Sequence, residues 1–309
     1  MHKLAITFAG QGSQSPGMMA GLNNFPVVRQ TFEEASDLLN LDLWAMVDGP
    51  AELQNQTINT QPLMLVAGVA TWRAWQAQGG ATPAFFAGHS LGEYTALVAA
   101  GALSFKDAVP LVRFRAEAMQ AAVPEGAGGI AAILGLDAEA VRQVCIEAAF
   151  DQVLEAVNLN SPGQIVIAGD RDAVERGMAL AKTRGAKRAL MLPMSVPSHC
   201  ALMQPAAAKL RVYLADINFT VPTIAVIQNA DVAAMPTADG IKAALIKQLH
   251  SPVRWIETIQ MMAAHGVTSV VECVPGKILT GLNKRIDANL NCLAVSDMVS
   301  LDTAIAATQ

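Results

Sequence analysis

The chain has 309 residues, of which 52% are hydrophobic and 15% charged. That is enough apolar material for a large buried core, and a length of this order suggests about two domains. The net charge of -5, with no basic block, argues against nucleic acid as a partner, and no run approaches the roughly 20 apolar residues of a membrane span.

In chain order, Lys3 precedes an apolar run over 4–10 that is too short for a signal peptide and ends at Gln11-Gly12-Ser13-Gln14. Residues 4–8 read as a buried strand, and Ala84-Phe85-Phe86-Ala87 as a second one running into Gly88. A helix follows through Tyr94, Leu97 and Val98, with Gly101 as its stop. Ser104 is placed to cap the next helix, with Asp107 in its first turn.

After Gly126-Ala127-Gly128-Gly129 the texture changes. The pattern predicts a strand over 130–136 and a helix capped by Asp137 with the stripe Val141, Val144, Cys145 and Ala148. Strands over 153–159 and 164–168 follow, joined by a turn at Asn160-Ser161-Pro162-Gly163, then a helix over 173–183 and a strand over 187–192. The order βαββαβ is the ferredoxin-like arrangement. It reads as a small domain, 125–193, inserted into a larger one formed by 1–124 and 194–309.

Beyond the insertion come a helix after His199, a strand over 223–227, helices over 240–249 and 252–264, a strand over 267–272, a helix from near Gly276 and a last strand over 293–295. Strands alternating with helices imply an α/β fold whose larger, hydrolase-like domain has a mostly parallel sheet covered on both faces. The four cysteines, Cys145, Cys200, Cys273 and Cys292, include no C-x-x-C pair. They suit a reducing cytoplasm better than a disulfide framework.

Gly88-His89-Ser90-Leu91-Gly92 carries the G-x-S-x-G pattern between an apolar strand and a helix. Glycines let such a turn be sharp, leaving the serine exposed where amides at the helix start can stabilise an oxyanion. The alternative is a glycine-rich turn with an incidental serine. A serine nucleophile needs a base. His199, in a loop just before a helix, is one candidate, and His250, between Leu249 and Ser251-Pro252, is the rival.

On the helix from Phe105 to Met119 the apolar stripe is Phe105, Ala108, Val109, Val112, Ala116 and Met119. At about 100° per residue Arg115 falls beside Ala108, on that stripe. A buried guanidinium needs a partner. Either it snorkels or pairs with an internal carboxylate, or it clamps a substrate carboxylate with its two-pronged head.

Gly10-Gln11-Gly12-Ser13-Gln14, Gly88-His89-Ser90-Leu91-Gly92-Glu93-Tyr94 and Ser195-Val196-Pro197-Ser198-His199-Cys200 occur in order. With them the chain resembles the malonyl-CoA:acyl carrier protein transacylases of dissociated bacterial fatty acid synthesis, from Phe8 to about Arg285. The resemblance implies a ping-pong reaction in which Ser90 takes the malonyl group, with His199 as general base. It places the backbone amides of Gln11 and Leu91 in the oxyanion hole, Arg115 on the malonyl carboxylate, and the backbone carbonyl of Gln248 behind the histidine. It implies malonyl-CoA and acyl carrier protein as partners and no metal or tightly bound cofactor. The chain departs from the family pattern at Gln228-Asn229, where Asn-Asn is common, and at Val274-Pro275-Gly276-Lys277, where Gly-Pro-Gly-Lys is common.

Two other functions share some of these residues. A serine thioesterase or esterase would use Ser90 and His199 but has no use for Arg115, and a non-catalytic scaffold or carrier-binding protein from a polyketide system would not need the intact set. A discrete polyketide-type acyltransferase would share the whole set and differ in its carrier. Since carrier proteins are acidic, as is this chain, docking calls for a local basic patch. The candidates are Lys182, Arg184, Lys187 and Arg188, or Lys277, Lys284 and Arg285.

Overall fold

The computed structural model describes residues 3–193, 196–274 and 276–309. Its elements, in order, are β1 (Lys3–Phe8), α1 (Pro26–Leu39), α2 (Leu43–Asp48), α3 (Ala51–Gln54), α4 (Thr57–Ala77), β2 (Phe85–Gly88), α5 (Gly92–Ala99) and α6 (Phe105–Gln120). Next come β3 (Gly128–Leu134), α7 (Ala138–Ala149), β4 (Leu154–Ser161), β5 (Gln164–Asp170), α8 (Arg171–Thr183) and β6 (Arg188–Met191). The remainder is α9 (Gln204–Ala215), β7 (Ala225–Ile227), α10 (Ala238–Gln248), α11 (Trp255–Ala264), β8 (Val267–Glu272), α12 (Ile278–Ile286), β9 (Asn291–Ala294) and α13 (Met298–Ala306).

Strands β7-β2-β1-β8-β9 form a five-stranded sheet whose pairs are all parallel. In β1 every residue from Leu4 to Phe8 is buried. Such a strand has core on both faces, which is why it reads as an unbroken apolar run without alternation. Helix α5 packs on β1 and β2, and α11 and α12 pack on β8.

Strands β4-β5-β3-β6 form a second, antiparallel sheet. This is the expected ferredoxin-like order. Its period of two sorts side chains between two cores. Ala131, Ile133, Ile165 and Ile167 pack with Val141, Val144 and Val174 of α7 and α8. Ile130, Val166 and Ala168 point the other way, where they pack with Cys200.

The structure moves several expected boundaries. β4 runs on through Asn160 and Ser161, with Ser161 paired to Gln164, so only Pro162 and Gly163 are left to turn. Proline presets its own φ and Gly163 takes φ 73°, which makes so short a connection workable. The helix expected from 252 starts at Trp255, because Val253 is engaged in a bridge to Asn158. The helix expected near Gly276 starts at Ile278 and the last strand spans Asn291–Ala294.

Helices α1 to α4 lie in a stretch to which the sequence reading assigns no element. For α4 the reason is physical: it is buried on nearly every face, so it has no polar side and no amphipathic period to detect. For α1 the signal was present, in Pro26 at the first turn and the buried stripe Val28, Thr31, Phe32 and Ala35. Among the described residues no helix is long and apolar enough to cross a membrane.

Candidate active site

The carboxyl ends of β1 and β2 open onto a cavity of about 450 Å³, the usual place for a ligand beside a parallel sheet. At the end of β2 the chain turns sharply into α5. A Cβ on Gly88 would sit 1.9 Å from the Gly92 backbone, and one on Gly92 would sit 2.0 Å from the Phe8 carbonyl oxygen. Neither position has room for any other residue. Ser90, between them, has φ 52°, a left-handed conformation that costs a non-glycine residue about 1–3 kcal/mol.

The Ser90 hydroxyl lies 2.7 Å from His199 Nε2, and His199 Nδ1 lies 2.8 Å from the Gln248 backbone carbonyl. A carbonyl can only accept, so Nδ1 carries the proton and Nε2 is free to accept from the serine. His199 is itself left-handed, at φ 68°, and its amide is held by the Leu249 carbonyl at 3.0 Å. Burial, and then the positive charge of Arg115, push its pKa down to about 3. The imidazole is therefore a neutral acceptor at physiological pH.

Arg115 is 1% exposed. One terminal nitrogen donates to Gln61 Oε1 at 2.8 Å, and the other to Gln248 Oε1 at 2.9 Å and, more weakly, to Ser90 Oγ at 3.4 Å. Its guanidinium stands 5.3 Å from the Tyr94 ring centre, and Nε has no partner among the described residues. No carboxylate pairs with it among the described residues. Two neutral amides orient this cation without cancelling its charge, which leaves a buried positive site next to Ser90. Burial lowers its pKa from the usual arginine value.

Glu93, in the first turn of α5, is fully buried, and that burial pushes its carboxyl up to about 8. It is mainly a neutral acid at pH 7, consistent with a cation left unbalanced nearby.

Gln11 and Leu91 both line the cavity, and their backbone amides have no acceptor among the described residues. Two unengaged donors beside a serine are what an oxyanion needs. The far wall comes from the antiparallel sheet and includes Ile130, Ala132, Asn158, Asn160, Gln164 and Val166. His89 donates from Nε2 to Asn160 Oδ1 at 2.8 Å, joining the Ser90 turn to that wall.

The structure thus brings together Ser90, His199, Gln11, Leu91, Arg115 and Gln248, all singled out from the sequence. His250 does not line the cavity. Ser195 and Pro275 of the sequence motifs lie outside the described residues. Gln228 turns its amide to the Val226 carbonyl at 3.5 Å, and Val274 is buried. Neither departure from the family pattern lines the cavity. Sequence reasoning missed Gln61, Glu93, Asn160 and Asn229, and it missed the Gln248 side chain, which also donates to the Ser90 carbonyl at 2.9 Å. No motif announces an amide that acts from a distant element.

Such a site can transfer an acyl group that carries its own carboxylate. Comparison with known proteins agrees. The family model described as the acyl transferase domain matches residues 6–289. The malonyl CoA-acyl carrier protein transacylase of Escherichia coli strain K12 is 53% identical over 307 residues, covering 99% of each chain. The acyl-carrier-protein S-malonyltransferase of Burkholderia pseudomallei superposes with a TM-score of 0.97 at 55% identity, covering 98% of this chain and 99% of that one. A malonyl-transacylase solved in complex with its type II PKS acyl-carrier protein superposes with a TM-score of 0.97 at 52% identity, covering 99% of each chain.

Proposed function

The chain belongs to the acyl transferase domain family, and from that membership we propose that it moves the malonyl group of malonyl-CoA onto the phosphopantetheine thiol of an acyl carrier protein. The observation that carries this reading is Arg115, buried beside the Ser90–His199 pair with no carboxylate paired to it among the described residues. In the first half-reaction Ser90 Oγ attacks the malonyl thioester carbon as His199 Nε2 takes its proton. The amides of Gln11 and Leu91 hold the oxyanion, and Arg115 holds the distal carboxylate. The carbon–sulfur bond breaks, and the CoA thiolate leaves with the proton from His199. The carrier's thiol then repeats the sequence in reverse on the Ser90 ester. The Gln248 carbonyl keeps the imidazole in the required tautomer, the part that an acidic residue plays in a Ser-His-Asp triad.

The same reading assigns residues 1–124 and 194–309 to the catalytic body and 125–193 to the small domain that closes the cavity. It places the reaction in the cytoplasm, in fatty acid synthesis; the four buried, free cysteines suit a reducing compartment. For carrier docking we favour Lys277, Lys284 and Arg285. Ile278, Leu279 and Leu282 of α12 line the cavity, and Arg285 donates to Gln164 of the facing wall at 2.8 Å. In the other patch, Arg184 is already paired with Glu147.

Radiolabelled malonyl-CoA, given with and without carrier protein, tests the proposal. We expect one malonyl group on the wild-type chain by intact mass, none on Ser90→Ala, and passage of the label to the carrier. Release of free malonate with no label on the carrier would make the protein a hydrolase.

A further inference from the structure

The left-handed turn at Ser90 is held from the far end of the sequence. Asn229 follows β7, the edge neighbour of β2. Its side-chain Oδ1 accepts from the Ser90 amide at 2.7 Å, and its Nδ2 donates to the Gly88 carbonyl at 2.6 Å. One carboxamide therefore satisfies a donor and an acceptor on either side of His89. Asn229 is fixed in turn by its own backbone. Its amide donates to Glu93 Oε2 at 2.6 Å, and its carbonyl accepts from the Arg254 amide at 3.1 Å. Glu93 lies in α5, the helix that starts at the Ser90 turn, so the contacts close into a ring around the turn.

We propose that Asn229 is a positioning residue for acyl transfer, whose carboxamide locks Ser90 in the left-handed conformation that aims Oγ at His199 and leaves the Leu91 amide open to the cavity. This rests on the reading of Ser90 as nucleophile. The argument is one of geometry and residue type. The position needs one group that accepts from an N–H and donates to a C=O at once, and an amide side chain does both. Alanine does neither, and aspartate only accepts. Without the clamp the peptide between His89 and Ser90 is free to rotate toward an ordinary negative φ, which swings Oγ out of line with His199 Nε2. The Gln228 amide is turned away, toward the Val226 carbonyl, so it offers no substitute.

The test uses the full chain as wild type, Asn229→Ala and Asn229→Asp, with rapid-quench intact-mass measurement of Ser90 malonylation by malonyl-CoA. Asn229→Ala should acylate about 100-fold more slowly, the size of effect that a misaimed nucleophile produces. The concentration of malonyl-CoA giving half-maximal rate should shift by less than about three-fold, because Asn229 does not touch the Arg115 pocket. The pH dependence of the acylation rate should keep its midpoint, since the burial of His199, the nearby Arg115 charge and the Gln248 carbonyl that set its pKa are unchanged. A rate within two-fold of wild type, or a loss confined to half-saturation, would overturn the clamp. If the alanine variant does not fold, Asn229→Asp decides: a loss of about ten-fold or more supports the proposal, and full activity overturns it. A wild type that takes no malonyl group would instead overturn the transferase reading. The clamp would then be judged by labelling of Ser90 with a serine-directed fluorophosphonate, which needs no malonyl recognition; equal labelling of wild type and variant would sink it.

Discussion

Two sheets face each other across one cavity, and they bring different things to it. The parallel-sheet side supplies two left-handed residues, Ser90 and His199, a buried arginine without a paired carboxylate among the described residues and a buried glutamic acid. The antiparallel sheet supplies apolar side chains and neutral amides: Ile130, Ala132, Asn158, Asn160, Gln164 and Val166. One side stores strain and charge, and the other supplies shape and hydrogen bonds. Reactive groups need fixed geometry and perturbed electrostatics, which a sheet buried on both faces can impose. A wall that only has to receive a flexible thioester arm needs neither.

Replacing charge on the first side should have the largest effect. Arg115→Ala should cost about 3–5 kcal/mol of malonyl transfer, measured as kcat/KM, while acetyl transfer from acetyl-CoA should fall much less. Equal losses for the two acyl groups would mean that Arg115 serves the fold and leaves the carboxylate unrecognised.

Glu93 comes next, through stability. Its folded pKa of about 8 is raised above the ordinary 4.5, so its contribution is full at low pH and is lost as pH rises toward 8. His199 has the opposite sign. Its folded pKa of about 3 lies below the ordinary 6.5, so its contribution is present above 6.5 and is lost on acidification. The two oppose each other between pH 4.5 and 6.5. Above that range the histidines no longer contribute to the change, and Glu93 is joined by Glu272, whose carboxyl is also pushed up by burial. Urea unfolding of the wild type should show a loss on the order of 2 kcal/mol between pH 6.5 and 8, which Glu93→Gln should reduce. A variant that loses as much as the wild type would show that Glu93 is already ionised at the lower pH.

The smallest effect belongs to the facing wall. Asn158 lines the cavity with its Oδ1 unpartnered among the described residues. Asn158→Ala should raise KM for malonyl-CoA by the worth of one hydrogen bond, about 0.5–1.5 kcal/mol, and leave kcat alone. A fall in kcat would mean that the wall reaches into the chemistry and that the two sides are less distinct than their residues suggest.

What could be read from the sequence follows the same division. Ser90 announced itself because a strained turn needs flanking glycines, and Arg115 because a charge on an apolar stripe breaks a helical pattern. Spacing favoured His199 but left His250 as a rival, since both stand at element ends; the folded distance of 2.7 Å from Ser90 to His199 decides between them. Gln61 left no trace, and Glu93 and Asn229 stood inside motifs without a role, because a buried amide or carboxyl gets its meaning from partners on other elements. The small domain was legible as a βαββαβ order, yet its β4 strand ran past the expected turn. Pairing with Gln164 outweighed the turn-forming character of Asn160 and Ser161.

The frame around Ser90 also sets how this protein can be altered. The side chain at 90 points into the cavity, while a Cβ added at Gly88 or Gly92 would run into neighbouring backbone. The side-chain oxygen can be exchanged, sulfur for oxygen in Ser90→Cys, without asking the main chain to move. Positions 88 and 92 allow no exchange at all. A library randomised over 88–92 and selected only for folding, with no demand for activity, should still return glycine at both ends.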